Sequence, residues 1–269
     1  MLGLFLVAHA ALKGLFFSGW WMVSVAMPVE AATLGVVTPV LLAGLVSWVV
    51  LVGLVICALG RVTPAETGLE AARLRDGAAV MAGLWVLTQA ACAAAGAASG
   101  ELSAGGPTFG GPLAALGTRL QAVFGSGLIE EVIYRGFLQT QLFLLARRHL
   151  SRDGALAVAI AAASLYFGLN HVPAGLRMGL DGPAVAGYAL QCALVGALFG
   201  ALYVRTGNLF VAAAAHALLN DPVALLASPV DPALFVMVAA CGLLLAWPWL
   251  CRRVGGVFSY GTLEGRIAL

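Results

Sequence analysis

Long apolar runs separated by short polar connections dominate the hydropathy pattern of this 269-residue chain. A helix rises about 1.5 Å per residue, so that roughly 20 apolar residues are needed to cross a bilayer. Eight runs approach or exceed this length, and the seventh is the shortest: 4–27, 32–60, 77–98, 117–148, 155–172, 183–204, 208–221 and 232–250. The pattern predicts an all-α, polytopic membrane helix bundle of about eight transmembrane helices.

Basic residues alternate from one connection to the next. Ten of the fourteen basic residues lie in one set of connections, which comprises 61–76, 147–154, 205–207 and the C-terminal tail. Only Arg177 lies in the other set, which comprises 28–31, 99–116, 173–182 and 222–231. By the positive-inside rule, the Arg-bearing connections and both termini are cytoplasmic. Lys13, Arg119 and Arg135 remain inside the runs or at their edges.

The connection 61–76 carries a local signal of its own. Thr63-Pro-Ala-Glu66 has the residues of a helix start, with Thr63 as the N-cap and Glu66 as its capping-box partner. Glu70 and Arg73 lie three residues apart, which would put them on one helix face. We expect a short helix here, lying on the cytoplasmic surface.

Composition agrees with a lipid-embedded chain. Hydrophobic residues make up 62% of the sequence and charged residues 10%, and the mean hydropathy is +1.00. A soluble domain is nearer half apolar and a quarter charged. The net charge of +2 gives no reason to propose a nucleic-acid partner. We expect a single integral membrane domain over residues 1–269, and the Arg-, Ala- and Gly-rich composition favours a bacterial inner (cytoplasmic) membrane.

Ionisable side chains inside an apolar run are costly and usually functional. The fourth run contains Glu130-Glu131-x-x-x-Arg135. Glu131 and Arg135 are four residues apart with the acid first, so that they should form an ion pair. Glu130 lies about 100° around the helix and has no such partner. The pattern predicts a structural Glu131 and an available Glu130, although one buried ionic network of all three residues is the alternative.

Two histidines in later runs each have a partner one helical turn away. Phe167 and His171 belong to the fifth run, and His216 and Asn220 belong to the seventh. Residues four apart share a helix face, so that the Phe167 ring can pack against the His171 imidazole. Taken singly, these pairs have structural alternatives, namely an interfacial histidine and a hydrogen bond between packed helices.

The depths of the three ionisable groups favour one shared pocket. Counted from the flanking arginines by helix rise, Glu130 lies ~25 Å, His171 ~28 Å and His216 ~16 Å from the cytoplasmic side. Glu130 and His171 lie at about the same depth, and contact between the two side chains requires this. We therefore expect Glu130, His171 and His216 to converge from three helices.

The order and spacing of these motifs resemble the CPBP intramembrane proteases, which include the type II CAAX prenyl endopeptidases and bacterial relatives linked to bacteriocin processing and self-immunity. The family pattern is E-E-x-x-x-R, F-x-x-x-H and H-x-x-x-N, and every position of it occurs within about 117–221. The resemblance implies an eight-helix fold whose motifs meet in a membrane-embedded cavity. It also implies hydrolysis of a peptide bond.

A role for each motif residue follows from the resemblance. Glu130 and His171 would activate water, while His216 and Asn220 would stabilise the oxyanion. A desolvated carboxylate is a stronger base, and imidazole and amide groups can donate hydrogen bonds to an oxyanion. The residues that would support the site are Glu131, Arg135 and Phe167.

The same Glu130, His171 and His216 form a His₂Glu set with an open fourth position, as catalytic zinc sites do. Against zinc, the chain has no H-E-x-x-H helix. A metal site would also leave no free base except Glu131, which already has Arg135 as its partner. We favour a metal-free site without a cofactor, and zinc is the alternative.

Other function classes remain open. Ser126 lies four residues before Glu130, but no G-x-S-x-G nucleophile elbow is present. A non-catalytic membrane scaffold or bacteriocin-immunity factor would keep the motifs without hydrolysis. A proton-coupled transporter is disfavoured because no inverted repeat is visible. The expected partners are the lipid bilayer and a membrane-associated peptide or protein substrate, and prenylated CAAX proteins are not expected in a bacterium.

Overall fold

Helices build the whole described part of the chain. The computed structural model describes residues 1–101, 103–105 and 111–253, and these residues contain no β-strand, only an isolated antiparallel bridge between Ala104 and Leu226. The prediction of an all-α bundle is confirmed. The helical segments over these residues are α1 (Leu2–Phe16), α2 (Gly19–Ala32), α3 (Pro39–Leu59), α4 (Ala71–Ser99), α5 (111–146), α6 (Arg152–Leu169), α7 (Val172–Arg177), α8 (Gly182–Thr206), α9 (Leu209–Asn220) and α10 (Pro232–Arg253).

Five helical stretches in the described residues are long and apolar enough to cross a membrane: α3, α4, α6 continued by α7, α8 and α10. The pair α1 and α2 forms a sixth if it is counted as one span, since the two are bent by 59°. The chain is therefore an integral membrane protein. Each of the eight predicted runs corresponds to a helical element, but α5 carries several charges and α9 has only 12 residues. The number of eight spans stays a prediction.

Side-chain caps fix where several helices begin. A free backbone N–H at a helix start needs an acceptor, and a preceding Ser, Thr, Asp or Asn side chain supplies one. The capping oxygens accept from the backbone N–H two or three residues later at 2.9–3.3 Å, and they belong to Ser18, Thr38, Ser151, Asp181 and Asn208. Proline follows within the first turn of α3 and α8, where its missing N–H costs nothing.

The prediction of a short helix within 61–76 is wrong, because residues 61–70 form turns and no helix. Thr63 and Glu66 do form the reciprocal capping bonds, with Thr63 N donating to the Glu66 carboxylate at 2.6 Å and Glu66 N donating to Thr63 Oγ1 at 3.3 Å. The Thr63 backbone N–H and the Thr63 hydroxyl both donate to the Glu66 carboxylate, and these two bonds lower its pKa. The turn then ends at Gly68, whose φ of +87° is left-handed, and α4 begins only at Ala71. Glu70, directly before α4, forms an ion pair with Arg73 in its first turn at 2.8 Å.

Helix α5 lies at the centre of the bundle. Every residue of 132–139 is buried. Wider, π-helical turns occupy 121–127 and 132–139, on both sides of the four-residue stretch that carries Glu130 and Glu131. Such turns in an α-helix frequently occur at functional sites because they redirect side chains. The two glutamates therefore lie between two widened helical segments, and similar segments also occur at 22–26 and 48–59.

Glycines let neighbouring helices approach α5 closely. A Cβ on Gly44 of α3 would lie 2.6 Å from Cα of Gly125, so the two backbones are in contact there. A Cβ on Gly136 would lie 2.1 Å from the carbonyl oxygen of Thr67, which seats the 63–67 turn against α5. Small residues at such crossings are typical of membrane helix packing.

The crossing of α3 and α5 gives a stability prediction. We expect Gly44→Ala to lower the free energy of unfolding by about 1–3 kcal/mol, because the added methyl group must displace the Gly125 backbone. Gly53→Ala on the same helix is the matched control, since its Cβ would meet its nearest neighbour at an ordinary 3.5 Å. Thermal unfolding in detergent micelles measures both variants, and equal midpoints would contradict the close crossing.

Candidate active site

The predicted ion pair between Glu131 and Arg135 is confirmed, and it is fully buried. Arg135 Nη1 lies 3.1 Å from Glu131 Oε1, and the side chains are 1% and 0% exposed. Arg135 Nη2 also donates to the carbonyl oxygen of Gly196 on α8 at 2.8 Å. A Cβ on Gly196 would lie 3.0 Å from that nitrogen, so the glycine gives the guanidinium its access to the α8 backbone. Arg135 thus links α8 to α5, the helix that carries Glu131.

Aromatic rings surround the Arg135 guanidinium. Its Cζ lies 4.7 Å from the ring centroid of Phe167 and 5.6 Å from that of Phe199. The negative face of an aromatic ring attracts a cation and replaces part of its lost hydration. Phe167 therefore contacts the Arg135 guanidinium as well as the His171 ring.

His216 connects the two glutamates. Its Nδ1 donates to Glu131 Oε1 at 2.8 Å, and its Nε2 lies 3.7 Å from Glu130 Oε2. The imidazole is stacked on the Phe199 ring with centroids 4.6 Å apart. One imidazole nitrogen is therefore committed to Glu131, while the other faces Glu130.

The bond from His216 to Glu131 was not predicted. The two residues are 85 positions apart, and no local spacing joins them. Local spacing predicted one partner for Glu131, namely Arg135, whereas the structure adds a second, His216 on α9. Glu131 is enclosed, while Glu130 lines a cavity.

His171 lies between α6 and α7, directly before α7 begins, and is oriented by Phe167. Its Nδ1 donates to the Phe167 carbonyl oxygen at 2.8 Å, and the two ring centroids are 4.5 Å apart. The predicted packing of ring against imidazole is confirmed. Because Nδ1 carries the donated hydrogen, Nε2 of neutral His171 has a free lone pair.

Asn220 joins the C-terminal end of α9 to α5. Its Nδ2 donates to Ser126 Oγ at 2.9 Å. The next residue, Asp221, forms an ion pair with Arg119, which holds the same ends together. Asn220 therefore forms a hydrogen bond between two packed helices, which was the structural alternative for this residue. It also lines the cavity.

One cavity of about 520 Å³ contains the predicted groups. The four predicted catalytic residues all line it, and they are Glu130, His171, His216 and Asn220. Glu131, Arg135 and Phe167 are buried behind its wall. The structure thus brings together the side chains that the sequence placed on three helices, whereas their chemical roles stay predictions.

Two cavity residues on α1 were missed. His9 is buried, and its Nδ1 lies 2.9 Å from the Tyr166 hydroxyl, while its Nε2 lies 3.5 Å from that of Tyr134. Lys13 lies one turn further along α1 and lines the same cavity. The signal was present in the sequence, since His9 and Lys13 are ionisable residues four apart within an apolar run.

The ligands of the zinc alternative would be Glu130, His171 and His216, and a zinc ion there would polarise the attacking water. Among the residues that the structure describes, no three His, Cys, Asp or Glu side chains are grouped so that they could hold a metal ion as they stand. The metal-free site stays the prediction, with zinc as its alternative.

A comparison with family models finds one match. Residues 112–220 match the type II CAAX prenyl endopeptidase Rce1-like family. This segment is Rce1-like. It runs from α5 to α9 and contains all seven predicted site residues, so that the resemblance noted from the motifs is confirmed over these residues. No curated protein and no solved structure matches the chain.

The buried ion pair of the Rce1-like segment gives a second stability prediction. We expect Arg135→Met to lower the free energy of unfolding by about 3–5 kcal/mol, because it leaves the Glu131 charge buried without its cation. Adding Glu131→Gln should recover part of the loss, since the amide oxygen can still accept from His216. Unfolding in detergent measures the wild type, Arg135→Met, Glu131→Gln and the double variant. A loss in the double variant equal to the sum of the two single losses would contradict the pairing.

Proposed function

We propose that the protein is an intramembrane endopeptidase that hydrolyses a peptide bond of a membrane-associated protein or peptide. The Rce1-like match supports a CAAX-protease-type peptidase. The observation that carries the proposal is the approach of His216 Nε2 to within 3.7 Å of Glu130 Oε2 in a cavity that also holds His171. Glu130 as the proposed base, His171 as a second acceptor and His216 as a donor thus line one cavity.

Glu130 and His171 are proposed to activate the water. Water has two hydrogens, and the site offers an acceptor for each of them. One is the Glu130 carboxylate, and the other is His171 Nε2, whose lone pair is free because Nδ1 donates to Phe167. Glu130 takes the proton as the water oxygen attacks the carbonyl carbon of the substrate.

His216 is proposed to donate to the oxyanion as an imidazolium. Its Nδ1–H is used by Glu131, so that neutral His216 would have no hydrogen on Nε2. Protonation places a hydrogen there, and the carboxylates on both sides of the ring stabilise the resulting cation. Glu131 therefore orients this donor.

Asn220 is the proposed second donor. Its amide nitrogen carries two hydrogens, and the bond to Ser126 uses one of them. The other is available to the oxyanion. When the tetrahedral intermediate collapses, the C–N bond breaks and Glu130 returns its proton to the leaving amine. The products are a carboxylic acid and an amine, and no cofactor is consumed.

The remaining proposals concern where the reaction occurs. The distribution of arginines supports cytoplasmic termini, and the composition supports a bacterial inner membrane. The partners are the lipid bilayer and a membrane-associated peptide or protein substrate, with no nucleic acid.

The proposed base is tested by Glu130→Gln. We expect the variant to lose peptide hydrolysis by about 10²-fold to 10⁴-fold, because the amide cannot accept the proton from water. Cleavage of a peptide library by purified protein, with and without a chelator, is the measurement. Activity should persist in the chelator.

Glu30→Gln on α2 is the matched control, since it makes the same change at a carboxyl group that is not among the described cavity-lining residues. It should leave hydrolysis unchanged. Full activity of Glu130→Gln would contradict the proposal, and loss of wild-type activity in the chelator would support zinc. A non-catalytic scaffold would bind its partner equally well in the Glu130→Gln and the Glu30→Gln variants.

The oxyanion assignment is tested by comparing Asn220→Ala with Ser126→Ala. We expect Asn220→Ala to lower kcat by about 10²-fold to 10³-fold, because one donor to the developing charge is removed. Ser126→Ala removes only the partner of Asn220 and should have a much smaller effect. The opposite order of the two losses, measured on the same peptide, would indicate a serine nucleophile.

A further inference from the structure

One buried side chain near the proposed base has no part in the proposed mechanism. His9 on α1 is 2% exposed and lines the same cavity as Glu130. It lies outside the Rce1-like segment, which contains all seven predicted site residues. An imidazole that is buried inside a membrane bundle needs partners for its polar ring nitrogens. The partners of His9 therefore indicate what this side chain contributes to the site.

His9 joins two tyrosine hydroxyls that belong to different helices. Its Nδ1 lies 2.9 Å from the hydroxyl of Tyr166 on α6, and its Nε2 lies 3.5 Å from that of Tyr134 on α5. The imidazole is stacked on the Phe5 ring, with centroids 5.7 Å apart and an angle of 16° between the planes. Because the stack holds the ring plane, both nitrogens keep their directions. The three polar side chains thus form one chain across α1, α5 and α6.

Tyr134 brings this chain to Glu130. The two residues lie four positions apart on α5, both line the cavity, and the hydroxyl and the carboxylate interact electrostatically. An edge-to-face contact with Phe167, at 4.9 Å between centroids, holds the tyrosine ring. His216 does not anchor the carboxylate, because its Nε2 at 3.7 Å is beyond the length of a hydrogen bond. A catalytic base works best when a further group orients it.

The Glu130 carboxylate gives the chain one direction. An ionised carboxylate only accepts hydrogen bonds, so that a hydroxyl beside it is best placed as a donor. If the Tyr134 hydrogen points to the carboxylate, the Tyr134 oxygen accepts from His9, whose hydrogen is then on Nε2. Nδ1 in turn accepts from the Tyr166 hydroxyl. The opposite direction would set the lone pairs of Tyr134 against the carboxylate oxygens.

A neutral His9 fits these surroundings. Lys13 lies one turn further along α1 and lines the same cavity, so that a protonated His9 would place a second cation beside it. Burial also disfavours the charged form of the ring. A neutral imidazole has one N–H and one lone pair, and a hydrogen-bond chain with a single direction requires this combination at its middle member.

We propose that His9 is a positioning residue that directs the Tyr134 hydroxyl hydrogen toward the Glu130 carboxylate. The resulting hydrogen bond orients the carboxylate, so that its other oxygen is available to the attacking water. Hydrogen bonds in a chain polarise one another, and Tyr166 therefore strengthens the donor at the other end. The effect on hydrolysis rests on the proposed function, whereas the direction of the chain does not.

The direction of the chain is tested without hydrolysis. Solid-state NMR of the full-length protein in bilayers, with nitrogen-15 in its histidines and with His9→Gln for assignment, reports which nitrogen of His9 carries hydrogen. We expect a neutral ring with its hydrogen on Nε2, and we expect Tyr134→Phe and Glu130→Gln to shift its signal. A hydrogen on Nδ1, or a signal indifferent to both variants, overturns the inference.

The consequence for catalysis is tested with a double-variant cycle on one peptide. We expect His9→Phe, which keeps the ring stack but loses both hydrogen bonds, to lower kcat roughly tenfold to a hundredfold with KM almost unchanged. Tyr134→Phe should cause a similar loss. The double variant should lose little more than either single variant, because the two residues act through one bond.

Two further variants separate positioning from packing. His9→Gln should keep most of kcat, since its side-chain amide can donate to Tyr134 in place of Nε2. His149→Phe is the matched control, because it makes the same change at an exposed histidine outside the described cavity lining. It should leave kcat unchanged.

Losses that multiply in the double variant, or equal losses in His9→Phe and His9→Gln, overturn the inference, because either result indicates a packing role. Full kcat of His9→Phe also overturns it and leaves the proposed function standing. A wild type that hydrolyses no peptide removes the proposed function instead, and the NMR result then decides alone whether His9 directs Tyr134.

Discussion

The Glu131 carboxylate holds the site together. It is fully buried on α5, lies 3.1 Å from the Arg135 guanidinium and accepts from His216 on α9 at 2.8 Å. Through Arg135 it is also linked to the α8 backbone at Gly196. A buried charge is expensive unless it is paired and hydrogen-bonded, so these partners must stay together. The arrangement that gives Glu131 Oε1 its two partners also turns His216 Nε2 toward Glu130.

Close helix packing is the second constraint, because such bonds form only if the helices approach near enough. Arg135 and Gln139, one turn apart on α5, donate to the carbonyl oxygens of Gly196 and Gly200, one turn apart on α8. A Cβ on Gly200 would lie 2.6 Å from Gln139 Oε1. Without side chains at these two positions, α8 exposes its backbone acceptors to α5. Polar contacts and small residues thus act together, as is usual between membrane helices.

The sequence could predict what depends on local spacing. Apolar runs indicated the helices, and the four-residue spacings indicated the Glu131–Arg135 pair and the packing of Phe167 on His171. Contacts between distant segments were beyond it, which is why the bond from His216 to Glu131 was missed. His9 and Lys13 were missed although their four-residue spacing within an apolar run was visible, because no local spacing joins α1 to the glutamates. The helix expected after Thr63 failed for a local reason, since Gly68 takes a left-handed conformation and ends the turn. Apolarity alone could not settle the number of spans, because α5 carries charges and α9 is short.

The protonation of His216 tests the account most directly. Solid-state NMR of the protein in bilayers, with nitrogen-15 in its histidines and with His216→Gln for assignment, reports which ring nitrogens carry hydrogen. Because Glu131 accepts from Nδ1, we predict that His216 Nδ1 is protonated and that Glu131→Ala changes its signal. A neutral His216 with its hydrogen on Nε2, or a signal indifferent to Glu131→Ala, would contradict the arrangement of the whole site.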